Sequence, residues 1–138
     1  MPVPFISPVA KRVSLYSDFH KDLTANPISN DIAIKRDEEA IKESIRNLLL
    51  TDRGERLFQP NLGSDLRATL FENNTPATIK IIQEQVKATI SAYEPRVELI
   101  SVEATSSLDD NALRINVSFY IRNNESPITV TVFLERIR

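Results

Sequence analysis

Residues 113–134 read LRINVSFYIRNNESPITVTVFL. Leu113, Ile115, Val117, Phe119 and Ile121 alternate with Arg114, Asn116, Ser118, Tyr120 and Arg122. After a turn-forming run over residues 122–127, Ile128, Val130, Val132 and Leu134 alternate with Thr129, Thr131 and Phe133. A period of two places successive side chains on opposite faces of a strand, so each segment carries one apolar face and one polar face. Two such strands joined by a short turn containing Pro127 pair antiparallel. Their apolar face demands a covering layer, and the rest of the chain must supply it.

Moving upstream, residues 97–105 offer Val97 and Leu99 in one parity and Ile100, Val102 and Ala104 in the other. The change of parity predicts a strand with a β-bulge near Leu99. Residues 106–112 form a loop. Its Asp109, Asp110 and Asn111 lack the spaced ligands and the glycine of a calcium loop, so it reads as a solvated turn and no metal is expected. Three strands in sequence make an antiparallel meander.

The covering layer is helical. Thr75 followed by Pro76 joins a capping hydroxyl to a proline at the first helical position. The predicted helix runs from Pro76 to Tyr93, with Ile79, Ile82, Val86, Ile90 and Tyr93 as its buried stripe and Pro95 as its stop. A second amphipathic helix follows Asp37, which is placed to cap it, with Glu38 and Glu39 favourable in the first turn. Ile41, Ile45, Leu48 and Leu49 form its apolar face, and Lys42, Glu43, Arg46 and Asn47 are expected to face water. The fold class is α+β: an N-terminal arm, then two main helices plus a short one packed on a three-stranded antiparallel β-meander. Residues 37–138 form the single domain and residues 1–36 the arm. Pro2, Pro4, Pro8 and Pro27 break up the arm, while Val13, Leu15, Phe19, Leu23, Ile28, Ile32 and Ile34 give it apolar anchors. It is expected to drape, extended, over the domain or over a partner.

Between the helices, residues 48–73 read LLLTDRGERLFQPNLGSDLRATLFEN and hold both glycines of the protein, Gly54 and Gly63, with Pro60 between them. Glycine serves where φ is positive or another segment comes close. Two turns around a short extended piece through Leu57 and Phe58 are predicted. Ser64 is expected to cap a short helix that turns Leu66, Leu70 and Phe71 inward. This is a structural corner joining two helices.

Composition narrows the function. The 138 residues carry a formal charge of −2 with the two signs interspersed, which argues against a nucleic-acid surface. Cysteine is absent and His20 is the single histidine, so neither a thiol nucleophile nor a histidine-based triad with its own arm residue is credible. Glu55, Asp65 and Glu72 flank the corner, but a pair of hydrolytic carboxylates needs an environment that raises one pKa, and tryptophan for sugar stacking is absent. No catalytic residues and no cofactor are expected. The longest run of large apolar residues, Leu48, Leu49 and Leu50, is far short of a membrane span. The start of the chain lacks a signal-peptide pattern, so synthesis in the cytoplasm is expected.

Two features remain. Glu94, Pro95 and Arg96 sit at the joint between the long helix and the first strand, and form either a self-contained salt bridge or a rigid charged knuckle presented to another protein. The last strand is either an edge protected by Glu135, Arg136 and Arg138 or an edge that accepts a neighbour's strand.

The sequence over residues 48–73, followed by YEPRV at 93–97 and the closing LERIR, resembles the gene-25-like baseplate wedge family of contractile-tailed bacteriophages, whose members also serve in type VI secretion baseplates. The similarity extends from Leu15 to the C-terminus. It implies a structural virion protein of the tail baseplate, assembled in the host cytoplasm, and not an enzyme. It implies attachment of Glu94, Pro95 and Arg96 to the helical core bundle of the other wedge proteins. It implies sheath initiation by strand addition, for which Ile128, Thr129, Val130, Thr131, Val132, Phe133 and Leu134 are the candidate strand. Tail sheath protein is then a partner, tail tube and hub proteins are further neighbours, and nucleic acid and membrane are not. The alternatives are a type VI secretion baseplate subunit and, from another class, a peptidoglycan hydrolase, since some members carry an older lysozyme label.

Overall fold

A computed structural model of the chain describes residues 14–73, 75–107, 112–122 and 124–135. The first 13 residues, the acidic loop at Asp109, Asp110 and Asn111, and the closing Arg136 and Arg138 lie outside the described residues. The chain divides into two compact units, Met1–Ala40 and Ile41–Arg138.

Within the first unit the arm doubles back on itself. β1 (Ser17–Phe19) pairs antiparallel with β2 (Ile34–Arg36), and an isolated bridge joins Ala25 to Ile32. Asn26 makes the reversal: its side chain accepts the Ile28 N–H, and its carbonyl accepts the Asn30 N–H. Asp37 does not cap the helix that follows. Its φ is +48°, and its carboxylate accepts the N–H groups of Leu15 and Tyr16 instead, tying the start of this unit to its end.

In the second unit the meander is present. β3 (Val97–Ser107), β4 (Ala112–Ile121) and β5 (Ile128–Glu135) pair antiparallel in the order β3-β4-β5. The expected bulge is a register shift between Leu99 and Ser101. It returns Val102 to the buried face and leaves Ile100 exposed. Every apolar residue of the alternating set on β4 and β5 is buried, from Leu113 to Ile121 and from Ile128 to Leu134. On the outer face, Ser118 meets Thr129 and Thr131 donates to Asn116, cross-strand pairs that stabilise a sheet modestly.

α1 (Glu38–Leu50) buries Ile41, Ile45, Leu48 and Leu49. α3 (Pro76–Tyr93) buries Ile82, Val86 and Ile90 and packs along β3. Thr75 caps α3 as its sequence predicts, its hydroxyl accepting the Thr78 N–H at 3.2 Å. Glu43 departs from the expected wet face: it is buried and held by Arg46 at 3.1 Å. A buried carboxylate at this position is tolerable because the next turn supplies the cation.

α2 (Leu66–Thr69) is a single turn with Leu66 fully buried. Its cap position is Asp65, without a side-chain cap bond; Ser64 is buried and donates to the Leu49 carbonyl at 2.6 Å. That carbonyl belongs to the last turn of α1, where carbonyls lack helical partners. Ser64 therefore finishes the previous helix and does not start the next. Phe71, expected inside, is exposed.

Candidate functional site

The corner between α1 and α2 requires its glycines. Gly54 has φ +83° and Gly63 φ +123°, both in the region that disfavours any residue with a Cβ. The two positions differ in their surroundings. A Cβ on Gly54 would meet open space, whereas one on Gly63 would lie 2.5 Å from the Thr51 carbonyl oxygen. Gly63 lets residues 63–64 run against the end of α1, where the Ser64 N–H donates to that same oxygen at 2.9 Å. Pro60 contributes its carbonyl, which accepts the Gly54 N–H at 2.8 Å and closes the neck of the loop. Arg53–Asp65 and Arg67–Asp52 ion pairs, at 3.3 and 3.5 Å, brace its sides. Leu57 and Phe58 are not in an extended piece: they occupy a turn closed by the Gln59 N–H on the Arg56 carbonyl.

Glu94 ends α3, its N–H still bonded to the Ile90 carbonyl. Its side chain faces inward, the residue being 3% exposed, so the Glu94–Arg96 salt bridge that the sequence allows is a sheltered one and not a solvated one. Arg96 grips it with two donors, Nε to Oε1 at 2.5 Å and Nη2 to Oε2 at 2.7 Å. Ser44 of α1 adds a third at 2.6 Å. Burial alone pushes the Glu94 pKa up; the hydrogen bonds from Arg96 and Ser44 and the Arg96 charge outweigh it, and the net displacement is downward. Pro95 is exposed and makes the bend that brings Arg96 back over the carboxylate. The Arg96 side chain remains 30% exposed.

These elements are not scattered. The Tyr93 hydroxyl, one residue before Glu94, donates to the Asn61 carbonyl at 2.6 Å and fastens the corner to the end of α3. Tyr93 therefore points to the corner and not into the core stripe. The Arg96 carbonyl accepts the Arg122 N–H at 3.0 Å, so the knuckle sits where β3 begins and β4 ends. The far end of β5 is elsewhere: Phe133 and Leu134 share a groove with Leu50, Arg67, Leu70 and Phe71. The 128–134 strand is the outer strand of the sheet, paired with β4 on one side. On its outward face Phe133 lies under the Arg114 guanidinium, 4.9 Å from ring centroid to charge. Ser44 is the residue that sequence reasoning missed. It lies fifty positions from Glu94, and nothing in its local context distinguishes it from any other helical serine.

Among the described residues no three His, Asp or Glu side chains gather to hold a metal, and no helix is long and apolar enough to cross a membrane. Residues 35–126, which include the corner, the knuckle and the whole of β3 and β4, match the family model of baseplate wedge protein gp25. The chain belongs to this family. It is 30% identical over 114 residues to baseplate wedge protein gp25 of Enterobacteria phage T4, covering 83% of this chain and 86% of that protein. It is 31% identical over 98 residues to baseplate protein W of Escherichia phage P2, covering 70% and 83%. A crystal structure of a Geobacter sulfurreducens protein, provisionally labelled a tail lysozyme, superposes with a TM-score of 0.67 at 30% identity, covering 73% of this chain and 92% of that one. This member of the baseplate wedge protein gp25 family is a structural component of a contractile-tail baseplate, and so of the virion tail.

Proposed function

We propose that this baseplate protein initiates the tail sheath. It would offer β5 to a strand of the first sheath subunits while Glu94, Pro95 and Arg96 attach it to the helical core bundle of the other wedge proteins. Residues 37–138 then serve as the wedge domain, with residues 1–36 as its arm. The observation that carries the sheath reading is the difference between the two edges of the sheet. Edge strand β3 has a register break between Leu99 and Ser101, the kind of irregularity that protects an edge from pairing. Edge strand β5 keeps an unbroken register with β4 from Ile128 to Glu135. Between Ile128 and Leu134 it has neither a charged residue nor a proline. Such a strand is suited to accept another by main-chain hydrogen bonding. For the knuckle, support comes from exposure: the Arg96 side chain stays partly accessible while its carboxylate partner is buried.

At the knuckle, the chemistry fits a structural role and not peptidoglycan hydrolysis. A glycosidase acid must hold its proton near neutral pH, which calls for a raised pKa. Glu94, the carboxylate gripped at the knuckle, is displaced the other way. The partners on this reading are wedge proteins and sheath protein. The test is direct: baseplates assembled with and without this chain are mixed with purified sheath subunits on tail tubes and imaged by electron microscopy. Sheath should grow from the baseplate only when the chain is present. Equal sheath growth without it would defeat the proposal.

A further inference from the structure

The turn at residues 56–59 is the place where the molecule breaks its own rules. Central positions of a turn are normally filled by Gly, Pro, Asn, Asp or Ser. Here they are Leu57 and Phe58, and these are 91% and 98% exposed. The loop that carries them is anything but loose. The Gly54–Pro60 hydrogen bond pinches its neck, Glu55 turns its carboxylate inward onto the Asp52 N–H at 3.0 Å, and Tyr93 pins Asn61. Both glycines of the chain are spent on building its base. A rigid stalk thus holds two large apolar side chains out in water, where they contribute nothing to this fold.

We infer that Leu57 and Phe58 are an anchor that seats in an apolar pocket, with a carboxylate at its rim, on another protein of the baseplate. This rests on the baseplate placement of the chain and not on the strand or knuckle contacts proposed above. Charge selects the rim. Arg53 and Arg67 already have Asp65 and Asp52, and Glu55 is committed to its own turn. Arg56, next to Leu57, has no carboxylate partner among the described residues. Shape excludes a second copy of the chain as the occupant. Two apolar side chains present roughly 300 Å², well below the roughly 800 Å² per partner of a stable interface. Two convex tips meeting about a twofold axis would also bring Arg56 against Arg56. A concave pocket on a different protein surrounds the tip where a second convex tip cannot, and its carboxylate takes the place of the second Arg56. Because the stalk is preorganised, little conformational entropy is lost on docking.

The test uses the full chain and a purified complex of the other baseplate proteins encoded with it, prepared without this chain. Leu57→Ser/Phe58→Ser and Arg56→Glu should melt like the unaltered protein. The double serine variant should bind the complex on the order of 30-fold more weakly or worse, as expected for a buried aromatic anchor. Arg56→Glu should weaken binding too, and Arg56→Lys should largely restore it. Serine variants that bind as tightly as the unaltered chain overturn the inference, as does a large fall in their melting temperature, which would place the tip inside this fold. Tip-dependent dimerisation in sedimentation, or Phe58-dependent retention on phosphatidylglycerol vesicles, overturns it in favour of those occupants. Should the unaltered chain itself fail to bind the complex, the baseplate placement falls with it. If the unaltered chain binds and the variants match it, only the anchor falls.

Discussion

Ser44 in the middle of α1 and Glu94 at the end of α3 are joined by a 2.6 Å hydrogen bond, and Arg96 closes on both oxygens of the same carboxylate. The knuckle is therefore a brace between the two main helices and the start of β3, in addition to whatever it offers a partner. Removing one member of a buried ion pair is costly because the other is left without compensation. Arg96→Ala leaves the Glu94 carboxylate inside with Ser44 alone, and should destabilise the free protein by about 2–3 kcal/mol in urea titrations. Ser44→Ala removes one charge-assisted bond and should cost about 1–2 kcal/mol. Arg96→Lys keeps the charge but not the two-pronged grip, and should fall between Arg96→Ala and the unaltered protein. A melting temperature unchanged by Arg96→Ala would show that the brace contributes nothing.

The same carboxylate predicts an acid sensitivity. In the unfolded chain Glu94 titrates at its ordinary value of 4.5, and in the fold below it. A group whose folded pKa is depressed adds stability above its unfolded pKa and loses it as the pH falls through the folded value. Between about pH 6 and about pH 3, the urea midpoint of the unaltered protein should therefore fall further than that of Glu94→Gln, which has no proton to take up. Other carboxylates titrate in both proteins, so the difference between the two curves isolates Glu94. Parallel curves would mean that burial cancels the Arg96 and Ser44 bonds.

The two glycines should respond unequally. Both have positive φ, but only at Gly63 does a side chain collide with backbone, at the Thr51 carbonyl. Gly54→Asn should cost no more than about 1 kcal/mol, because asparagine tolerates positive φ and the space around Gly54 is open. Gly63→Ala should cost clearly more, on the order of 2–4 kcal/mol, since the contact must be relieved by moving the end of α1 away from Ser64. Equal melting temperatures for the two variants would remove the distinction.

How much of this was legible follows from the range of each interaction. The meander, its bulge near Leu99 and the Thr75 cap are written in neighbouring residues, since period two, a parity change and a Thr-Pro pair are local signals. The importance of Gly54 and Gly63 was visible for the same reason. Asp37 and Ser64 each looked like a helix cap, but tertiary structure offered them stronger partners: Leu15 and Tyr16 for the one, the Leu49 carbonyl for the other. Local pattern cannot weigh a competitor that lies 15 or 22 residues away. Glu94 is the extreme case. Its sequence neighbours suggest a salt bridge or a knuckle for a partner, and the fold supplies the shelter and the Ser44 donor.

The outer strand is where the proposed sheath contact can be separated from folding. β5 pairs with β4 through one set of its main-chain groups, and strand addition would use the set on its other side. Successive residues of an edge strand alternate between these two sets, so proline has opposite meanings at adjacent positions. Where the N–H is bonded to β4, proline removes a ladder bond and should lower the melting temperature. Where the N–H points outward, the isolated protein loses nothing and should melt nearly as before. Single prolines at Thr129, Val130, Thr131, Val132 and Phe133 should thus sort into two alternating classes by melting temperature. The outward class should enter baseplates normally yet fail to start sheath, yielding tubes on bare baseplates in electron micrographs. Sheath growth from baseplates carrying every stable proline variant would rule out β5 as the template, and β3 would be the edge left to test.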